Sequence, residues 1–425
     1  MFFLTVYGIY LLSNLLLYRK LRRSLEVWFP ATPVSRLRTP LVLFFVAINA
    51  PLLVAAALGR FGWSLEHQPE WLLRWYFYPS LAWFAMLVGY FLVTAPKDLV
   101  LGAARGARWA YRKLIPAEES AAFSPQRRQF LAGVAPVLPS ALLGAAVYGV
   151  YGNAGELDVS REVSVAIPGL PRQLDGFRIT QLSDLHVGPY LRGQDLKPVV
   201  DSANALGSEL IVITGDILDR SLNLLGEAAA ALEPLRAPYG VYAILGNHDY
   251  YSDQRRGGYP GCNRLIRGVE TAGIRFLRNA RASIDVNGAE LLLAGLDWLG
   301  ATGGDPNIYQ QRRTREALRQ ILDGSNPAAV RVLLAHHPHS FMEADEFGIP
   351  LTLAGHTHGG GQVVLGQIGG VPIGLGALRF RYVRGLYQER GRYLYVNRGI
   401  GYFGVPIRIN CPPEISRFRL VRRPL

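Results

Sequence analysis

The sequence predicts an α/β layered domain behind a helical transmembrane region, and three observations carry that expectation. Four apolar runs crowd the first 150 residues; from Asp158 onward, short β-branched runs alternate with helical stretches; and five of those runs end directly in clusters of Asp, His and Asn. At 425 residues the chain is too long for one ordinary domain. Residues 1–150 are therefore assigned to the membrane region and residues 155–425 to the layered domain.

Residues 2–17, 41–58, 76–93 and 130–148 are almost free of charge and close to the roughly 20 residues that cross a bilayer as a helix, which makes about four helices. No basic residue precedes the first run, which argues against a cleaved signal peptide. The loop between the first two runs holds Arg19, Lys20, Arg22, Arg23, Arg36 and Arg38. The loop between the last two holds Lys97, Arg105, Arg108, Arg112, Lys113, Arg127 and Arg128. Loops this basic stay on the cytoplasmic side. The middle loop has only Arg60 and Arg74 beside Glu66 and Glu70, and Trp63, Trp71 and Trp75 border it as they border an outer interface. The expected topology is an integral protein of a bacterial inner membrane with everything after about Gly152 outside the cytoplasm. Gln126-Arg127-Arg128-Gln129-Phe130-Leu131 reads either as the flank of a span or as a twin-arginine export address, and both put the layered domain on that side.

Of the 45 Lys+Arg and 32 Asp+Glu in the chain, 15 and 6 fall in residues 1–150, an excess of 9 there against 4 in the remainder. The basic surplus belongs mainly to membrane-flanking loops, and a nucleic-acid partner is not expected. Cys262 and Cys411 are too few for a thiolate metal site or a disulfide scaffold, although they could form one bridge.

In the layered domain the expected strands are residues 177–182, 210–214, 241–245, 331–335 and 351–354. Asn287-Gly288 between the apolar runs 284–286 and 291–294 marks a two-residue hairpin turn. Helical patterning falls on 196–206, 222–235 and 312–322. A polar cluster follows each of the five strands at once: Ser183-Asp184-Leu185-His186, Gly215-Asp216, Gly246-Asn247-His248-Asp249, His336-His337-Pro338 and Gly355-His356-Thr357-His358. Ligand crevices of open α/β sheets lie beyond the carboxyl ends of the strands, so clusters distant in sequence can converge on one point.

The residue types in those clusters are metal ligands. Asp184 and His186 stand two positions apart, so in an extended segment both point one way and can chelate one ion. Asp216 has two carboxylate oxygens and could bridge two ions. Mixed carboxylate and imidazole donors suit Mn, Fe or Zn better than Mg or Ca, which prefer oxygen alone. Glycines at 215, 246 and 355 allow sharp turns where strands end.

Ser-Asp-Leu-His, Gly-Asp-Ile-Leu-Asp, Gly-Asn-His-Asp, Ala-His-His-Pro and Gly-His-Thr-His-Gly follow one another between about Arg178 and Arg419. This ordered set resembles the calcineurin-like metallophosphoesterases, in particular their bacterial membrane-anchored or exported branch. The resemblance implies a β-sandwich of two mixed sheets flanked by helices, and two metal ions. It assigns one ion to Asp184, His186, Asp216 and His358 and the other to Asp216, Asn247, His336 and His356. It also implies that His248 faces the scissile phosphate and that Asp249 orients its imidazole. Two cations about 3.5–4 Å apart would lower the pKa of a shared water, whose hydroxide attacks phosphorus in line while His248 serves as acid. His337 and His339 are expected as bystanders, and Asp219 as a helix cap or an outer partner of the centre. Three glycines, 359–361, precede Gln362 where the branch has two, so no role is carried over to Gln362.

Residues 363–378 are apolar and glycine-rich and lead into Arg379, Arg381 and Arg384 among Phe380 and Tyr382. A flexible apolar loop beside a basic cluster could take acyl chains and an anionic headgroup, which points to a phosphorylated lipid, an envelope phosphodiester or another phosphorylated small molecule as substrate. A β-hairpin with core valines and solvated arginines explains the same pattern without a substrate. The donor set equally serves nucleases and cyclic-nucleotide phosphodiesterases. A non-catalytic scaffold would keep the fold and lose ligands, and none is missing from this sequence.

Overall fold

The computed structural model describes residues 2–59, 63–114, 125–152, 157–159, 162–251, 260–298 and 308–423. The chain divides into two compact units, Met1–Gly152 and Asn153–Leu425.

The first unit contains the helices Phe2–Trp28, Val34–Leu58, Tyr78–Leu114, Pro125–Val134 and Val137–Val147. Among the described residues, three helical stretches are long and apolar enough to cross a membrane: Val34–Leu58, Glu70–Ala107 and Ala132–Gly152. The first apolar run lies within Phe2–Trp28. Val34–Leu58 turns Val42, Leu43, Phe44, Val46, Leu53 and Val54 outward, an arrangement that is stable where the surroundings are themselves apolar. Asn49, the polar residue within its apolar stretch, faces inward instead. Asn49 Nδ2 and Trp83 Nε1 each donate to Asn14 Oδ1 at 3.1 Å, and Tyr10 donates to Asn49, so amides placed away from water are paired. Trp71 and Trp75 are exposed at the start of the Glu70–Ala107 stretch, where interfacial aromatics belong.

The second unit opens with β1 (Asp158–Val159), β2 (Val163–Pro168), β3 (Arg178–Leu182), β4 (Leu210–Thr214), β5 (Val241–Ile244) and β6 (Ile274–Phe276). It continues with β7 (Ala280–Val286), β8 (Ala289–Gly295), β9 (Val330–Leu334), β10 (Leu351–Ala354), β11 (Gly366–Ile368) and β12 (Val371–Ile373), and closes with β13 (Gly385–Glu389), β14 (Arg392–Val396) and β15 (Glu414–Arg423). One sheet has the order β1-β15-β3-β4-β5-β6 with β2 also on β15; the other has the order β13-β14-β10-β9-β8-β7; β11 and β12 form a separate hairpin. Both sheets are mixed. β3, β4 and β5 run parallel while β15 opposes β3, and β8, β9, β10 and β14 run parallel while β7 and β13 oppose their neighbours.

The period of two in each strand builds the layers. Ile179, Leu210, Val212, Tyr242 and Ile244 from the first sheet meet Leu291, Leu293, Val332, Leu334, Leu351 and Leu353 from the second in the central core. The opposite face of the first sheet, with Ile211, Ile213 and Ala243, packs on Val199, Val200, Ala228, Leu232, Leu265 and Val269 of the helices Lys197–Ala205, Leu225–Leu232 and Pro260–Glu270. Leu292, Ala294 and Leu333 on the second sheet pack on Ala317, Leu318 and Ile321 of the helix Ile308–Leu322. β4 is buried on both faces, which is why it reads as an unbroken Leu-Ile-Val-Ile run and not as an alternation. Asn287 and Gly288 turn the β7–β8 hairpin with φ of 53° and 86°, as the dipeptide requires. Cys262 and Cys411 are both free and buried. Residues 363–378 contain the β11–β12 hairpin; Val364 is buried as a core valine would be, but Ile368, Val371 and Ile373 are exposed.

Candidate metal centre

β3, β4 and β5 of one sheet and β9 and β10 of the other end at the same place, and their first non-strand residues make the centre. Hydrogen bonds within and between the sheets hold those ends together. Gln181 Nε2 donates to Ala354 O at 2.9 Å and to Thr214 Oγ1 at 2.8 Å, and the Asp184 carboxylate accepts the His356 N–H at 3.1 Å.

The local backbone departs from the sequence expectation in an informative way. Asp184 and His186 do not lie in an extended segment: both are left-handed, with φ of 49° and 46°. Asp216, His356 and His358 are left-handed too, with φ of 54°, 72° and 46°. Such conformations cost about 1–3 kcal/mol each for residues with a Cβ and persist where the surrounding fold over-determines them, typically at functional sites. The glycines serve two purposes. Gly215 turns the chain with φ of 91°, whereas Gly246 and Gly355 are needed for space. A Cβ on Gly246 would stand 2.1 Å from Asp216 Oδ1, and one on Gly355 would stand 2.0 Å from Ser183 Oγ.

All seven expected ligands come together. Asp184, His186 and His358 form one group and Asp216, His336 and His356 another, each with its donor atoms within 4.8 Å of one another; His186, Asp216 and His248 form a third. Asp216 joins the groups: its Oδ2 lies 3.5 Å from His186 Nε2 and 3.1 Å from His336 Nε2. His186 Nε2 and His358 Nε2 are 3.0 Å apart, and His358 Nε2 is 3.5 Å from Asp184 Oδ1. Asn247 Oδ1 is 3.2 Å from His336 Nε2.

The donor set fits a cation. His336 Nδ1 donates to Thr214 O at 2.7 Å, so a neutral His336 presents a bare Nε2 to the Asp216 and Asn247 oxygens. Three acceptors then face one another with no proton between them. Burial opposes a charge on His336, but the Asp216 carboxylate overrides it and pushes its pKa up to about 9. A divalent cation answers the same need for positive charge. Burial and neighbouring histidines hold His356 and His358 well below the usual imidazole range, which leaves them neutral with lone pairs free to coordinate. Burial raises the Asp184 carboxyl; at Asp216 burial acts the same way but His336, His248 and His186 outweigh it, and the carboxyl is held well below the usual range.

The partner of His248 differs from the expected one. Its Nδ1 donates to Asp219 O at 2.6 Å and to Asp219 Oδ1 at 2.9 Å, so Asp219, rather than Asp249, orients the imidazole. Asp249 organises the backbone instead. Its two oxygens accept the N–H groups of Asp216, Ile217, Leu218 and Gly246 at 2.9–3.1 Å, tying the loop after β4 to the loop after β5. Burial and the Asp216 charge push the Asp249 carboxyl up to about 7. Asp219 also stands 3.5 Å from His186 Nδ1, so one carboxylate backs both a candidate ligand and the candidate acid. Burial would lower the His248 pKa, but Asp216 and Asp219 raise it.

Residues that the strand-end rule did not single out line the centre. Trp298 lies against His356 and His336 with ring centroids 5.3 and 5.7 Å apart, Phe380 lies 5.5 Å from His356, and Phe403 lies 5.5 Å from His248. Trp298 follows β8 just as the ligand clusters follow their strands, so the same rule extended to residues 291–294 would have reached it. Phe380 and Phe403 carry no such signal. Arg220 stacks over the Tyr251 ring at 5.9 Å, and Tyr251 lies 5.6 Å from His248. His337 and His339 face each other through their Nδ1 atoms at 3.2 Å, next to the group of candidate ligands. Gln362, three glycines on, donates to Phe403 O and Val405 O at 3.0 and 3.2 Å and accepts the Phe403 N–H, so it fixes the loop that carries Phe403.

The family model for calcineurin-like phosphoesterases matches residues 177–360. The chain is 33% identical over 302 residues to an uncharacterized metallophosphoesterase of Bacillus subtilis strain 168, YkuE, covering 69% of this chain and 97% of that protein. It is 28% identical over 429 residues to a Danio rerio transmembrane protein with a metallophosphoesterase domain, covering 99% of this chain and 89% of that protein. An uncharacterized metallophosphoesterase of Aquifex aeolicus strain VF5 is 30% identical over 239 residues, covering 56% of this chain and 82% of that one.

Proposed function

The chain belongs to the calcineurin-like metallophosphoesterases, and from that premise we infer that it hydrolyses a phosphate ester at a centre of two metal ions, using His248 as acid. The observation that carries this reading is the position of Asp216, whose Oδ2 lies within 3.5 Å of a nitrogen from each of two donor groups. Asp184, His186, His358 and Asp216 would hold one ion; Asp216, Asn247, His336 and His356 would hold the other. Bound there, Mn, Fe or Zn ions would neutralise phosphate oxygens and make water a nucleophile at neutral pH. The chain's own residues supply the rest. Asp219 keeps the His248 proton on Nδ1 and favours the charged ring, so Nε2 can donate to the departing ester oxygen. Asp249 holds the two loops that carry Asp216 and Asn247 in register.

The substrate class is inferred from what surrounds the centre. Trp298, Phe380 and Phe403 offer apolar walls, while Arg220 brings positive charge to bear on His248 and Arg379 on His356. An anionic phosphate flanked by an organic group suits that setting, and a membrane-anchored chain favours a lipid or envelope phosphodiester. The basic loops of the first unit support an extracytoplasmic metal centre in a bacterial inner membrane.

Metal analysis of the full-length protein alongside hydrolysis of bis(4-nitrophenyl) phosphate, phospholipid, cyclic nucleotide and single-stranded nucleic acid tests the proposal. Asp216→Asn should lose both ions together and all hydrolysis. Retention of one full equivalent of metal with half or more of the activity would show that Asp216 is not the shared ligand. Turnover confined to nucleotides would replace the lipid reading with a cyclic-nucleotide or nuclease one.

A further inference from the structure

The β11–β12 hairpin presents its apolar side to the outside. Ile368 pairs directly with Val371 and Gly366 with Ile373, and residues opposite each other in an antiparallel pair share a face. One face therefore carries Ile368, Val371 and Ile373, with exposures of 73%, 57% and 41%. The other carries Pro372, which is buried near Gly360. Gly369 and Gly370 turn the tip with φ of 57° and 82°, and Leu365 and Leu378 at the base are 75% and 87% exposed. Five large apolar side chains in a stretch of fourteen residues face outward, an arrangement that water disfavours and that marks a contact surface.

The surrounding charge narrows the partner to one kind. From Val363 to Gln388 the chain has Arg379, Arg381 and Arg384 and no acidic residue; Glu389 follows and stands 3.3 Å from Arg381, so the basic excess is two. Arg379 and Arg381 are exposed immediately after Leu378. An apolar tip with arginines at its base is the pattern of a segment that enters the acyl boundary of a bilayer while its cations meet anionic headgroups. The chain also limits the distance to a bilayer: Ala132–Gly152 is apolar enough to span, and β1 begins at Asp158, a tether of at most about 22 Å. At such short range even a weak surface is occupied, because docking becomes intramolecular. Two residues after Leu378, Phe380 touches the His356 ring. Docking of the hairpin would therefore bring the edge of the metal centre to headgroup level.

We propose that the β11–β12 hairpin inserts into the lipid surface and presents phosphorylated headgroups to the metal centre. The docking rests on the hairpin alone; its consequence for substrate rests on the phosphoesterase function inferred above.

The full-length chain, reconstituted into vesicles of phosphatidylcholine with one-third phosphatidylglycerol, tests both parts. Ile368→Cys carries an environment-sensitive fluorophore, as does Leu386→Cys, an exposed residue on β13; the buried Cys262 and Cys411 are checked for labelling in the parent protein. Emission from position 368 should shift to the blue and be quenched at least twofold by doxyl-labelled lipid, while position 386 is unaffected. Emission at 368 that matches 386 overturns the docking. A blue shift without lipid quenching overturns it as well, assigning the hairpin to a protein contact such as a second copy. Ile368→Asp with Val371→Asp should lower phospholipid turnover at least tenfold and leave hydrolysis of bis(4-nitrophenyl) phosphate within twofold. Quenching at 368 with no phospholipid turnover in the parent protein would keep the docking and remove the lipid substrate.

Discussion

Replacing Asp219 by Asn separates the charge of this carboxylate from its hydrogen bond. The amide oxygen can still accept from His248 Nδ1, and the Asp219 main-chain carbonyl, 2.6 Å from the same nitrogen, holds the tautomer in either case. What is lost is the negative charge 2.9 Å from the ring. A hydrogen bond to a charged acceptor contributes about 1.5–3 kcal/mol and one between neutral groups about 0.5–1.5, so the protonated ring loses roughly 1–1.5 kcal/mol, or about one pKa unit. Charges on bound metals lower the His248 pKa in both proteins and cancel in the difference. The basic limb of the kcat/KM profile, where His248 loses its proton, should therefore move down by about one pH unit, while the plateau falls less than tenfold. Hydrolysis of bis(4-nitrophenyl) phosphate from pH 5 to 10 reads this. Metal must be saturating, because Asp219 also stands 3.5 Å from His186. Asp249→Asn should behave differently: one oxygen cannot accept four backbone N–H groups, so metal content and Tm should fall together. A basic limb that stays within 0.3 units in Asp219→Asn but moves in Asp249→Asn would refute the assignment of Asp219.

Three further outcomes follow from the same structure. Gly355→Ala puts a methyl 2.0 Å from Ser183 Oγ and 2.3 Å from Asp184 Oδ2, so it should displace a candidate ligand and cost about 1–3 kcal/mol. Metal content and Tm should both drop, while Gly226→Ala, with open space around it in a helix, should lower neither. Burial pushes the Glu343 carboxyl up to about 7 from 4.5, so the folded protein holds this proton more tightly than the unfolded chain. Its contribution is complete below pH 4.5, drains away as pH rises to about 7 and is gone above that, an upper limit of about 3 kcal/mol. Thermal unfolding at pH 5 and pH 8 should show Glu343→Gln without this loss; equal pH dependence in both proteins would rule it out. Chelation should destabilise the second unit, because Asp184 and Asp216 are almost fully buried and would lose their counter-charge. At metal concentrations 100-fold above Kd the difference is about 2.7 kcal/mol, or about 5–10 °C in Tm, and scanning calorimetry with and without added Mn or Zn measures it.

The sequence alone determined the layered α/β class and the five strand ends. A strand buried on both faces, such as β4, has to be an unbroken apolar run, and a polar cluster directly after it has to lie at the edge of the sheet. The ligand types were legible for the same local reason: Asp, Asn and His declare their donor atoms wherever they stand. Only the tertiary structure decided which residues support them. Asp219 reaches His248 across 29 residues, and Trp298 reaches His356 across 58, through the packing of strand ends within each sheet. Local spacing holds no record of that packing. The family resemblance implied Asp249 as the partner of His248, whereas the short helix Asn247–Tyr251 leaves His248 to Asp219 and Asp249 to the backbone. Spacing suggested an extended segment at Asp184 and His186, whose left-handed backbones are held by contacts from the loops after β4 and β14, Gly215 O accepting the Asp184 N–H and Gly401 N–H donating to Asp184 O. The direction in which the β11–β12 hairpin faces belongs to the same class: alternation reveals that two faces exist, and only the placement of Pro372 beside Gly360 decides which one meets the solvent.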